Sequence, residues 1–187
     1  MKPDTSTRSL DPEPPIPPAK FAHFVLRTRQ LQQAVDWYQT VVGMEVVFRN
    51  ELLAFLTYDD EHHRLALVGL PQAPEPEPGS VGLDHVAYSF ETLGELLRTY
   101  KRLKGRGILP VWSINHGPTT SLYYADPDGN RVEFQVDNFA SEEELKGWMR
   151  SAAFATNPIG VEFDPDKLAA RYEQGDPIEE LVQQGSA

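Results

Sequence analysis

The sequence predicts an α+β fold in which two pseudo-symmetric repeats, each a strand, a helix and three strands (βαβββ), form one curved mixed β-sheet, a half-barrel. The same order of strand-like and amphipathic helical segments occurs twice along the chain. A proline-rich linker, residues 71–82, separates the two units. The units also match each other at a constant offset of 62 residues over their first strand and helix. A helical tail follows them.

Each predicted element follows from its residue pattern. Alternating β-branched and aromatic residues predict strands, and apolar residues at helical spacing followed by glycine predict a helix. The elements of the first repeat, residues 21–70, are a strand at 21–28, a helix at 31–42 and strands at 44–49, 52–58 and 63–70. Those of the second repeat, residues 83–137, are a strand at 83–90, a helix at 91–104 and strands at 109–114, 119–125 and 131–136.

The two repeats share individual residues as well as a pattern. At the offset of 62, His23 aligns with His85, Leu31 with Leu93, Tyr38 with Tyr100 and Gly43 with Gly105. In the last strands the offset becomes 67, and Ala66 aligns with Glu133. The repeats are therefore symmetric in their histidines and asymmetric in the final carboxylate.

Composition narrows the class of protein. The chain has 187 residues, 40% of them hydrophobic, which suits one domain flanked by tails. Residues 1–20 are proline-rich and predict a mobile arm, and residues 138–187 predict a helical C-terminal extension. A net charge of −11 argues against nucleic acid and anionic membranes as partners. Without cysteine there is no thiolate site, and without a long apolar run we expect a soluble, cytoplasmic protein.

Three candidate metal ligands fall at matching places in the repeats. Turn residues 126–130 join two strands into a hairpin that directs Tyr123 and Glu133 to a common interior. Pairing of the repeats brings His23 and His85 to the same concave face. Two imidazoles and one carboxylate leave coordination positions open, as in non-haem Fe(II) oxygenases. The alternative is three unrelated, locally satisfied residues, and the internal symmetry favours the shared site.

Other polar residues in these segments have two interpretations each. His62 and His63 precede a strand, where such a pair is usually exposed. Beside a metal, one of them would serve as acid or base, and strand alternation does not say which. Tyr123 is either a core aromatic or a hydrogen-bonding partner of a ligand. His116 is by default a loop residue.

Four stretches carry a family resemblance that covers residues 21–137. They are His-Phe-Val-Leu-Arg-Thr at His23, His-His-Arg-Leu-Ala-Leu at His63, Asp-His-Val-Ala at His85, and the run from His116 to Glu133. The last run matches a pattern of histidine, a short spacer, an aliphatic residue and tyrosine, then Asp-Pro-x-Gly and glutamate. The chain resembles the vicinal-oxygen-chelate superfamily, and within it the single-module type I extradiol ring-cleavage dioxygenases.

The resemblance implies a site and an activity. The implied metal ligands are His23, His85 and Glu133, the implied acid or base is His63, and the residues that hydrogen-bond the substrate oxygens are Tyr123 and His116. The metal would be Fe(II), with Mn(II) as the alternative. The reaction would open a catechol ring next to its diol with O₂. Many members carry two modules in tandem, so the resemblance implies a homodimer or higher homo-oligomer for this single module.

Two further functions share the expected fold. A glyoxalase-like isomerase or lyase takes a metal ligand from the last strand of both halves, and here Ala66 occupies the equivalent position, which favours the dioxygenase. A non-catalytic small-molecule binding protein has no need of the three ligands together. The identity of the diol stays open, although aromatic residues such as Trp112 and Phe154 would suit an aromatic ring.

Overall fold

The computed structural model describes residue 15, residues 17–75, residue 77 and residues 79–187, so most of the predicted arm lies outside the described part. The strands of the described residues are β1 (Phe24–Thr28), β2 (Glu45–Arg49), β3 (Leu53–Thr57), β4 (Leu65–Gly69), β5 (His85–Ser89), β6 (Trp112–Asn115), β7 (Thr119–Ala125), β8 (Arg131–Asp137) and β9 (Val161–Glu162). The helices are α1 (Leu31–Val41), α2 (Leu93–Lys104), α3 (Glu142–Met149), α4 (Ala152–Thr156), α5 (Pro165–Gln174) and α6 (Ile178–Leu181).

The described strands form two open sheets, one from each repeat. The first has the order β1-β4-β3-β2 and the second the order β5-β8-β7-β6-β9. In both, the first strand of the repeat runs parallel to the last one. The predicted α+β fold of two βαβββ repeats with a helical tail is confirmed. The strands form two sheets rather than one continuous sheet, because no hydrogen-bonded ladder joins β1 to β5 in the described residues.

Helices cover one face of these sheets and leave the other accessible. α1 buries Ala34 and Tyr38, and α2, which begins at a reciprocal capping box on Thr92, buries Tyr100. These side chains join the inward-facing strand residues in one hydrophobic core. On the opposite face of the first sheet Val25 is 54% exposed. The accessible face is also the one toward which the predicted site residues point.

The hairpin turn of the second repeat contacts the first repeat. Asp126, which is 6% exposed, accepts hydrogen bonds from the main-chain N–H groups of Asp128 and Asn130. It also accepts one from the Tyr38 hydroxyl of α1 at 3.3 Å. Asp128 in turn accepts a hydrogen bond from the hydroxyl of Thr28 at the end of β1. The turn therefore holds the two repeats together through buried and half-buried carboxylates.

The C-terminal extension adds a strand to the second sheet. β9 runs antiparallel to β6, with Glu162 opposite Ile114 and Val161 opposite Asn115. A cavity of about 950 Å³ lies between the loop at Gly117 and the helices of the extension. Among the helices of the described residues, none combines the length and apolar character needed to cross a membrane.

The observed strand starts differ from the prediction at two candidate site residues. β1 begins one residue after His23, and β4 begins two residues after His63, so both histidines stand ahead of their strands. The main-chain N–H of Arg64 donates to the Leu56 carbonyl of β3 at 2.8 Å, and the Ala22 carbonyl is bound by the Arg64 guanidinium, so neither joins a longer β1–β4 ladder. His85, by contrast, is the first residue of β5.

We predict that Asp126→Ala lowers the free energy of unfolding by about 2–4 kcal/mol, because it leaves buried N–H donors of the turn without an acceptor. Urea unfolding followed by circular dichroism measures the change. The control is Asp60→Ala, an exposed loop position, for which we expect a change within about 0.5 kcal/mol. Equal stability of the two variants would contradict the role given to the turn.

Candidate active site

The second sheet gathers four of the predicted residues on one face. Tyr123 lies opposite Glu133 in the antiparallel pairing of β7 with β8. The imidazole Nε2 of His85 lies 3.0 Å from Glu133 Oε2. The Nε2 of His116 lies 3.0 Å from the Tyr123 hydroxyl and 3.9 Å from Glu133 Oε1. Parallel pairing of β5 with β8 and the β7–β8 hairpin therefore converge on one carboxylate.

Glu133 is the buried centre of this group, with 4% of its surface exposed. A carboxylate taken out of water needs charged or hydrogen-bonding partners, and the His85 imidazole at 3.0 Å supplies one. Burial raises the pKa of the Tyr123 hydroxyl, and the negative charge of Glu133 raises it further. Tyr123 is therefore a protonated phenol that offers a hydrogen bond at neutral pH.

His85 is oriented from behind by its sequence neighbour. Its Nδ1 lies 2.7 Å from an oxygen of Asp84, and the other oxygen of Asp84 pairs with the Arg131 guanidinium. The hydrogen bond from His85 and the one from Arg131 lower the pKa of Asp84. A carboxylate on Nδ1 fixes the ring and leaves Nε2 free to bind a metal. The sequence analysis missed Asp84, although an acidic residue directly before a candidate ligand was a usable signal.

The other two predicted histidines, His23 and His63, lie just ahead of strands of the first sheet. The His63 ring stacks on Phe55, with centroids 4.6 Å apart, and its centroid lies 4.3 Å from that of His23. His62 is exposed, whereas His63 is half-buried, so His63 is the inward-facing member of the pair. Burial lowers the pKa of His63, and the neighbouring imidazoles of His23 and His62 lower it further.

The donors suit a divalent metal, and two of the three expected ligands already face each other. The 3.0 Å between His85 Nε2 and Glu133 Oε2 is close to the separation of two adjacent ligands of a metal bound at about 2.1 Å. The third expected ligand, His23, packs beside the His63 ring. Within the described ranges, no group of three or more His, Cys, Asp or Glu side chains is arranged to hold a metal ion. His23 is exposed and precedes β1, so the sheet ladder does not fix it.

Aromatic side chains and the extension form the wall behind His116. The Trp112 ring lies 5.0 Å from the Tyr123 ring, and its indole N–H donates to Glu162 of β9 at 2.8 Å. His116 Nδ1 bonds the main-chain carbonyl of Ile159. Phe154, the other aromatic expected near the ring, lies in α4. Sequence reasoning missed Ile159, because a main-chain acceptor leaves no residue signature, and it missed Glu162, because its partner Trp112 lies 50 residues away in the chain.

The amino-acid sequence matches one protein family and is similar to enzymes of named activity. The profile described as the Glyoxalase/Bleomycin resistance protein/Dioxygenase superfamily matches residues 20–134. The chain is 48% identical over 164 residues to biphenyl-2,3-diol 1,2-dioxygenase 2 of Rhodococcus globerulus, covering 87% of this chain and 86% of that protein. It is 33% identical over 113 residues to catechol-2,3-dioxygenase of Bacillus subtilis, covering 60% of this chain and 39% of that protein.

Among solved structures, lactoylglutathione lyase from Agrobacterium tumefaciens has a similar fold, with a TM-score of 0.53 and 24% identity. The match covers 65% of this chain and 96% of that one. At this identity the likeness concerns the fold alone.

Proposed function

Because the chain belongs to the glyoxalase/bleomycin resistance protein/dioxygenase superfamily, we propose that it is an Fe(II)-dependent dioxygenase that opens the ring of a catechol-type substrate next to its diol. Its extradiol ring-cleaving class follows from 48% identity to biphenyl-2,3-diol 1,2-dioxygenases over most of both chains. That class implies a metal cofactor, a diol and O₂. The choice of Fe(II) rather than Mn(II) and the roles of individual residues are our proposals.

The contact between His85 and Glu133 carries the metal-site proposal. Two metal-binding atoms from different strands face each other at 3.0 Å, and Asp84 holds the imidazole from the other side. We assign His23 as the third ligand, since it is the symmetry equivalent of His85 and stands at an exposed strand entrance from which it can approach the pair. Binding of a metal commonly completes a ligand set that is only partly formed without it.

The remaining residues bind the diol and move protons. Fe(II), when bound, supplies open coordination positions for the diol and O₂ and couples them electronically. The Tyr123 hydroxyl and His116 Nε2, 3.0 Å apart, hydrogen-bond the substrate oxygens beside Glu133. His63, which is half-buried against Phe55, takes a proton from the diol and returns one to the product. Both atoms of O₂ enter the ring-opened product.

We propose a two-ring diol of the biphenyl-2,3-diol kind as the substrate, because two relatives with 48% identity are named biphenyl-2,3-diol 1,2-dioxygenases. The edge of the site supports an aromatic ligand, since Trp112 and Tyr123 present adjoining rings. We also propose that the protein is a homodimer or higher homo-oligomer. The support is the outer strand β2, along which Val47 is 54% and Phe48 is 48% exposed.

We predict a yellow ring-fission product when anaerobic, Fe(II)-loaded protein receives biphenyl-2,3-diol and then air, with one O₂ consumed per product formed. Absorbance and an oxygen electrode measure the two quantities. The absence of product across a broad panel of catechols would refute the proposal. Turnover of another substrate without O₂, with Ni(II) or Co(II) in place of iron, would instead indicate lyase or isomerase chemistry.

We predict that Glu133→Gln weakens Fe(II) or Mn(II) binding by at least about 100-fold, which exceeds the effect of removing a residue that only orients a ligand. Equilibrium dialysis with metal analysis measures the affinity. Glu142→Gln is the matched control, because Glu142 is an exposed carboxylate that pairs with Lys146 on α3. Undiminished metal binding by Glu133→Gln would remove Glu133 from the ligand set.

We predict that His63→Gln lowers kcat by about 10²–10⁴-fold while metal content is kept, because the acid–base group is lost and the ligands remain. The neighbouring substitution His62→Gln is the control and should change kcat less than about threefold, since His62 is exposed. A larger loss in the His62 variant than in the His63 variant would exchange the two assignments.

A further inference from the structure

Residues 159–162 of the C-terminal extension contact two aromatic residues of the candidate site, His116 and Trp112. The Ile159 carbonyl accepts a hydrogen bond from Nδ1 of His116, and the Glu162 carboxylate accepts one from the Trp112 indole at 2.8 Å. The Trp112 ring lies 5.7 Å from the His116 ring. The profile match ends at residue 134, whereas the match to biphenyl-2,3-diol 1,2-dioxygenase 2 covers 87% of the chain and so includes this segment.

The bond to Ile159 determines which nitrogen of His116 carries the proton. A carbonyl oxygen can only accept, so Nδ1 must be the protonated nitrogen. In the neutral ring Nε2 is then a bare acceptor, and it faces the Tyr123 hydroxyl at 3.0 Å. The Tyr123 hydroxyl donates to His116. The same arrangement offers Nε2 as the acceptor for a substrate hydroxyl that enters between them.

The close approach of this segment depends on Gly160. Its φ is +117°, and a Cβ at this position would stand 2.3 Å from the Asn115 carbonyl oxygen and 2.7 Å from the Cα of His116. These are main-chain atoms that cannot rotate away. Asn157 holds the glycine in place, since its amide donates to the Gly160 carbonyl at 2.7 Å and its oxygen accepts from the Gly160 N–H at 3.0 Å.

We propose that Ile159 and Glu162 are positioning residues of the ring-cleavage site. The main-chain carbonyl of Ile159 fixes the orientation and tautomer of His116, and the carboxylate of Glu162 fixes the Trp112 ring beside it. Gly160 makes both contacts sterically feasible. The inference rests on the proposed function, and it assigns the C-terminal extension a part in the alignment of the substrate.

The test compares Gly160→Ala with Gly175→Ala. Gly175 lies in the same extension, also has a positive φ (+86°), and has open space around a Cβ, so its variant carries the same type of backbone strain without the steric clash. The His116 tautomer is observed by long-range ¹⁵N–¹H correlation in metal-free, ¹⁵N-histidine-labelled protein, with His116→Gln identifying the signal. Steady-state kinetics with biphenyl-2,3-diol follow on the Fe(II)-loaded variants.

We expect the wild type and Gly175→Ala to show His116 protonated at Nδ1. Gly160→Ala should move the ring to a mixture of tautomers and lower kcat/KM by about 10–100-fold, as expected for a misplaced catalytic group. A folded Gly160→Ala protein with the wild-type tautomer and wild-type kinetics would overturn the inference. A wild type that cleaves no diol refutes the proposed function, whereas the tautomer measurement still decides whether Ile159 fixes His116.

A second variant covers the case in which Gly160→Ala does not fold. Glu162→Ala removes an exposed side chain and frees the Trp112 indole. We expect KM for the diol to rise about three- to tenfold, the effect of one hydrogen bond, with kcat nearly unchanged. Glu143→Ala, an exposed position on α3, is the control. An unchanged KM in Glu162→Ala would overturn the role assigned to Glu162.

Discussion

The parallel pairing of β5 with β8 is the constraint on which the site depends. Its register, extended by the β7–β8 hairpin, brings His85 and Tyr123 to the same face as Glu133, and the carboxylate is buried there. Backbone hydrogen bonds fix this arrangement before any ligand binds. The site therefore has a preorganised half in which each polar side chain already has a partner.

The first repeat contributes residues of a different kind. His23 and His63 precede their strands, and the neighbouring sheet face is apolar, with Phe55 stacked on His63. The second sheet supplies the fixed polar groups, and the first sheet supplies two imidazoles at strand entrances. This division matches the asymmetry in sequence, in which Ala66 stands where the other repeat has Glu133. The proposed set of three ligands would leave coordination positions open for the diol and O₂.

The C-terminal extension packs against the candidate site. β9 lengthens the second sheet, and its neighbours contact His116 and Trp112 directly. Further support comes from Asn115, whose amide donates to the Val182 carbonyl at 2.8 Å and whose carbonyl accepts from Gln184 at 3.1 Å. The βαβββ core that the family model matches is thus combined with contacts from residues beyond that match, in a region that the 48%-identical relative also covers.

The sequence alone determined the two βαβββ repeats, the helical tail and the candidate residues, because periodicity, turn residues and internal symmetry are local signals. The structure places Tyr123 opposite Glu133 and His85 3.0 Å from it, whereas the roles of these residues and the ligand set with His23 stay predictions. Tertiary structure decided that the strands form two sheets, that Asp84 orients His85 and that Ile159 reaches His116. The Ile159 contact joins a main-chain carbonyl to a partner 43 residues away, so no residue pattern specifies it, whereas the acidic residue next to His85 was a signal that the sequence did contain.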